Sequence, residues 1–181
     1  VGLLGQQAVP VNDPSLDLLW GDVAASTRTL MTAVHVADLA APLSAPTATG
    51  VFQVSYETRI GLKDEGAPEG VLRFEATREV ATGRIFARGF YDTPDQVAKT
   101  APIAAVEAFI DLDSGEVAIS VPFATINAAR AAAGHPVIGM GTEVSSLQFA
   151  THRWRGADRG PALSDDADSA DNPTLAYRLG E

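Results

Sequence analysis

The sequence predicts an all-β protein, an antiparallel β-sandwich of jelly-roll-like type carrying one short helix. Apolar residues recur with a period of two through most segments, as half-buried strands require. Turn-forming Gly, Pro, Asn and Asp punctuate the chain at short intervals. Only one stretch, Pro122–Ala133, shows helical spacing.

Taken in order, the chain opens with Val1, Leu3, Val9 and Val11 on odd positions, interrupted by Gly5 and Gln7. This predicts an extended arm over residues 1–11, followed by one sandwich domain over residues 12–181. Trp20, within the apolar stretch Leu16–Val23, is expected to pack inside. Leu30, Thr32, Val34 and Val36 then alternate with Met31, Ala33 and His35. Phe52, Val54 and Tyr56 alternate with Gln53, Ser55, Glu57 and Arg59. Leu72, Phe74 and Ala76 alternate with Arg73, Glu75 and Thr77, whereas Arg84–Tyr91 is aromatic-rich but less regular.

Val106–Leu112 and Glu116–Val121 flank Asp113-Ser114-Gly115, a polar turn in which Gly takes positive φ. That is a hairpin signature. Pro122 suits the first turn of a helix, Ile126 and Ala129 or Arg130 follow at helical spacing, and Gly134 ends it. Thr142–Trp154 reads as a long strand with Leu147 and Phe149 on one face and Gln148, His152 and Trp154 on the other. Loops occupy Ala40–Gly50 and Leu62–Gly70. The tail Arg155–Pro173 is polar and acidic, and Thr174–Leu179 predicts a last short strand. Eight to ten short strands without an internal repeat point to a single sandwich.

Composition narrows the function classes. The chain has 181 residues, 46% of them hydrophobic, enough for a packed core. Thirteen basic against 23 acidic residues leave a formal net charge of −10, which repels phosphate backbones and anionic lipid. Neither nucleic-acid binding nor membrane insertion is expected, since no apolar run approaches the roughly 18 residues of a span. Cysteine is absent, which excludes disulfides, thiolate metal sites and a Cys nucleophile. Residues 1–11 lack the pattern of a signal peptide, so an exported form is expected to have lost its signal already.

Two groups of residues stand out as candidate sites. Asp13 and Asp17 lie near the N-terminus, and Asp165, Asp166, Asp168 and Asp171 near the C-terminus. Terminal segments of a sandwich often run side by side. Asp13, Asp17, Asp166, Asp168 and Asp171 are therefore read as ligands for calcium, which takes oxygen donors from flexible loops. An EF-hand is not present, because no Glu closes a twelve-residue loop. The second group is a polar and aromatic strand face: Gln148, His152, Trp154, Arg73 and Glu75, with Gln53 and Glu57 beside them. Aromatic rings stack on the C–H faces of sugars while amides and charges meet the hydroxyls.

Catalytic patterns are lacking. No Ser sits in a GxSxG setting, and His35, His135 and His152 form no zinc-binding pair. Gly139-Met140-Gly141 is too short for a dinucleotide loop. Glu57 and Glu75 are a conceivable carboxylate pair, but Arg59 and Arg73 share their face, and cross-strand ion pairing is the simpler account.

The order Asn12-Asp13-Pro14-Ser15-Leu16-Asp17-Leu18-Leu19, Gly21-Asp22-Val23 and Val34-His35-Val36-Ala37-Asp38-Leu39 resembles a domain of secreted actinobacterial proteins, related to DOMON domains and family-9 carbohydrate-binding modules. The likeness continues through the hairpin Ile110–Val121, Pro122, the acidic stretch Asp165–Asp171 and Tyr177-Arg178-Leu179-Gly180. It implies a secreted sandwich used for binding or display, with calcium in some relatives. It also implies a haem alternative, in which Met31 or Met140 pairs with His152.

The expected function is therefore a non-catalytic extracellular module, calcium-stabilised, that recognises glycan or protein at the cell surface. The alternative is a structural subunit that self-associates by strand addition through Val1–Val11.

Overall fold

A computed structural model describes residues 14–41, 51–63, 70–93, 100–155, 164–167 and 177–180. Eleven strands and one helix succeed one another among them. They are β1 (Leu18–Ala25), β2 (Thr29–Val36), β3 (Val51–Leu62), β4 (Gly70–Glu79), β5 (Ile85–Asp92), β6 (Thr100–Ile103), β7 (Glu107–Asp111) and β8 (Glu116–Pro122). The helix α1 (Phe123–Ala132) then precedes β9 (Glu143–Arg155), β10 (Ser164–Ala167) and β11 (Tyr177–Arg178).

All pairings are antiparallel, and the strands divide between two sheets that pack face to face. The smaller sheet has the order β1-β2-β8-β7. The larger has seven strands in the order β10-β9-β3-β4-β5-β6, with β11 joining β9 further along its free edge. The all-β sandwich and its single helix thus match the sequence pattern. The period of two is obeyed where it was read: Leu30, Val34 and Val36 of β2 face Val54, Tyr56 and Ile60 of β3 and Leu72, Phe74 and Ala76 of β4 across the core.

Two glycines sit at close approaches, one between the sheets and one within the smaller sheet. Gly21 of β1 faces inward, and a Cβ there would lie 2.5 Å from the Phe149 ring of β9. Gly115 ends the β7–β8 turn at φ 73°, with Val36 O only 2.5 Å from the place of a Cβ. The segment before β1 is tied to the larger sheet: Thr151 Oγ1 donates to Leu16 O at 2.7 Å and Tyr56 Oη to Ser15 O at 3.3 Å. At the other end of the chain, Tyr177 Oη donates to Val23 O at 2.7 Å.

Helix α1 follows β8 directly. Pro122 caps the helix with φ −64°, the value its ring imposes, and Gly134 leaves it at φ 82°. Phe123, Ile126, Ala129 and Arg130 form the buried face, which lies against β5, β6 and β8. Arg130 is fully buried: its guanidinium sits 4.9 Å from the Tyr91 ring centre, and its Nε donates to Pro136 O at 2.8 Å. Asn127 clamps the following loop in both directions, donating to Ile138 O at 2.9 Å and accepting from Ile138 N at 2.8 Å.

The structure differs from the sequence reading in three places. Trp20 lies on the outer face of β1, half exposed, because inward positions of that strand fall to Gly21, Val23 and Ala25. Thr100–Ile103 and Ser164–Ala167 are strands where none was predicted. Both have only four residues, too few to show a period. The arm, residues 1–11, lies outside the described residues.

Candidate functional site

Register brings the predicted binding residues onto one surface. On the outer face of the larger sheet, Gln148 of β9 is opposite Arg59 of β3, which is opposite Arg73 of β4, which is opposite Phe90 of β5. The next outward row is Ala150, Glu57, Glu75 and Arg88. The row after it is His152, Ser55, Thr77 and Phe86, and the last aligns Trp154 with Gln53 and Glu79. Gln148, His152, Arg73 and Glu75 thus share a face. Trp154 enters by its backbone register alone, opposite Gln53.

Like charges oppose each other across β3 and β4, Glu57 against Glu75 and Arg59 against Arg73. Each is neutralised from elsewhere. Arg59 reaches along its own strand to Glu57. Arg88 of β5 grips Glu75 with two hydrogen bonds, Nε to Oε2 at 2.7 Å and Nη2 to Oε1 at 2.9 Å. Arg73 donates to Asp92 Oδ2 at 3.0 Å and lies 4.6 Å from the Phe90 ring centre. The expected cross-strand ion pairs exist, but they join β4 to β5 and not β3 to β4.

Glu75 is only 3% exposed yet holds a charge. Burial pushes its pKa up, the largest single influence, but hydrogen bonds from Arg88, Ser55 and Thr77, together with the Arg88 charge, outweigh it. The carboxyl is left below the ordinary Glu value. Thr77 Oγ1 donates to Glu75 Oε1 at 3.1 Å and shares a hydrogen bond of 3.1 Å with Ser55 Oγ. The consequence is a guanidinium and a hydroxyl fixed in place before any ligand arrives.

Beside this network lies an open cavity of about 250 Å³ lined by Gln53, Thr77, Phe86 and Arg88. Phe86 supplies an aromatic wall, Gln53 an amide with donors and an acceptor, and Thr77 a hydroxyl. Its volume falls just below the roughly 300–1,000 Å³ of drug-sized sites. Sequence reasoning named Gln53 and Thr77 only as members of a strand face, and it missed Phe86 and Arg88. The alternate positions of their strand are Ile85, itself 41% exposed, and the small Ala87 and Gly89, so the contrast on which a period is judged is blurred.

The other candidates separate. Met31 points outward from the smaller sheet and His152 from the larger, while Met140 precedes the opposite end of β9, so no Met–His haem pair assembles. His35 stacks on Trp20 with ring centres 3.5 Å apart and approaches Glu116 at 3.7 Å. His135 stands edge-on to Tyr91 at 5.4 Å. Among the described residues no three His, Cys, Asp or Glu side chains converge as metal ligands. Asp13, Asp168 and Asp171 lie outside those residues, Asp166 is placed by its backbone in β10, and Asp17 is exposed. Among the described residues no helix is long and apolar enough to cross a membrane.

No family model matches the sequence, and no curated protein matches it at a significant level.

Proposed function

We propose that this protein is a non-catalytic binding module of extracellular type, and that it holds a single sugar residue of a glycan on the outer face of its larger sheet. The observation that carries this reading is the cavity of about 250 Å³ in which Phe86, Gln53, Thr77 and Arg88 converge. A stacking wall, an amide, a hydroxyl and an oriented cation are the groups a pyranose ring needs, apolar on its C–H face and hydrogen-bonding at its rim. Arg88 costs little to order on binding, since Glu75 already fixes it. The resemblance to family-9 carbohydrate-binding modules and DOMON domains points the same way, as does a surface whose negative charge disfavours nucleic acid.

The test is a glycan screen with the full chain, followed by calorimetry of the best ligand against Phe86→Ala and Gln53→Ala. Loss of at least tenfold in affinity in both, with unchanged folding, supports the reading. Retained affinity in both removes this cavity from the account. Trp154→Ala then asks whether that ring adds a second stacking surface. Calcium at Asp13, Asp17, Asp166, Asp168 and Asp171 belongs to the proposal as a stabilising ion, not as part of the sugar site.

A further inference from the structure

The outer face of the smaller sheet is built unlike the sugar face. Register sets it out in three rows across β1, β2, β8 and β7. One row is Trp20, His35, Glu116 and Asp111. The middle row is Asp22, Ala33, Ala118 and Phe109, and the third is Ala24, Met31, Ser120 and Glu107. Trp20 is 50% exposed, Met31 48% and Phe109 64%. The two alanines in the middle row leave a low floor between the Trp20–His35 stack and Met31, with Phe109 standing at one end. The result is a shallow apolar groove running across the strands.

Four carboxylates surround it: Asp22, Glu107, Asp111 and Glu116. Among the described residues His35 is the one basic side chain in those three rows. From this arrangement we infer that the face docks a short cationic amphipathic peptide segment of a partner protein.

Charge and area select that occupant. A second copy applied face to face would bring eight carboxylates together, and anionic polymers are repelled likewise. Three inter-strand steps of about 4.8 Å and two double-residue steps of about 6.8 Å give a footprint of roughly 14 by 14 Å. That is far below the roughly 800 Å² per partner of a stable globular interface. A single helix or strand fits it, with apolar side chains over Ala33 and Ala118 and Lys or Arg at the rim.

The experiment titrates the full chain with a twelve-residue Leu/Lys amphipathic peptide and with its Leu/Glu counterpart, by calorimetry, at low salt and at high salt. Ala118→Arg fills the floor with a cation, and Phe109→Ser removes the end wall from an exposed position. Val137→Arg changes net charge equally on a loop residue that is 73% exposed and away from the groove. The expected result is binding of the Lys peptide that weakens at least tenfold in Ala118→Arg and Phe109→Ser but less than twofold in Val137→Arg. The Glu peptide is expected not to bind. Absence of binding, or equal weakening in Ala118→Arg and Val137→Arg, overturns the inference, the latter because it marks non-specific attraction to an acidic chain. Self-association of the unmodified chain that Ala118→Arg abolishes also overturns it, by making a second copy the occupant. Sugar binding at Phe86 is measured in the same variants and stays unchanged, so failure at either face is told from failure at the other.

Discussion

Glu75 and Arg88 face each other across β4 and β5, and both carboxylate oxygens of the one are held by nitrogens of the other. Glu75 is buried while Arg88 keeps part of its surface in solvent, so the pair is asymmetric. Removing the arginine strands a charge in the sheet; removing the glutamate frees a cation that water can reach.

Arg88→Leu is therefore expected to cost about 2 kcal/mol, a fall in Tm of roughly 4–8 °C for a chain of this size. Its pH dependence identifies the cause. In the native protein the Glu75 pKa lies below its unfolded value, so its contribution is present above that value and is lost as pH falls through the folded one. Without Arg88, burial dominates and the folded pKa rises, so the variant gains relative stability as the carboxyl takes up a proton. The Tm gap between native protein and variant should thus narrow from pH 7 towards pH 4. A constant gap would assign the loss to packing.

Gly21→Ala is expected to destabilise by about 1–3 kcal/mol, because the added Cβ meets the Phe149 ring and the sheets must part to admit it. Denaturant midpoints measure this. A partial rescue by Phe149→Leu in the same chain is the expected sign that these two residues set the spacing.

Gly115→Ala combines a left-handed backbone with a Cβ directed at Val36 O, and its cost is expected to be about 2 kcal/mol. Hydrogen exchange should localise the damage to the β7–β8 turn and its neighbour β2. Uniform loss of protection would contradict that.

Chelator should lower the Tm if calcium is held by the terminal aspartates, by an amount that grows as RT ln(1 + [L]/Kd) when calcium is restored. Identical melting curves with chelator and with calcium would take the ion out of the proposal.

The sequence was most legible where one face of a strand is apolar and the other polar, as in Leu30–Val36 and Leu72–Thr77. The hairpin at Asp113-Ser114-Gly115 and the helix after Pro122 carried their own local chemistry and were read within a residue or two. Trp20 was misplaced because size and hydrophobicity suggest burial, whereas the glycine beside it takes the inward position. The cavity beside Glu75 and Arg88 was half legible. Gln53 and Thr77 follow from alternation, but Arg88 gains its meaning from Glu75, thirteen residues away, and only register shows that they meet. No pattern along one strand contains that fact.

Helix α1 has ten residues, too few to persist alone in water. Its order is lent to it by β5, β6 and β8, and in return it packs over part of β5 and β6. This corner is therefore expected to act as a cooperative unit, in which the helix and the edge strand β6 open together. Under mild denaturant, amide exchange and proteolysis should first find the chain here, with β2, β3 and β8 still closed.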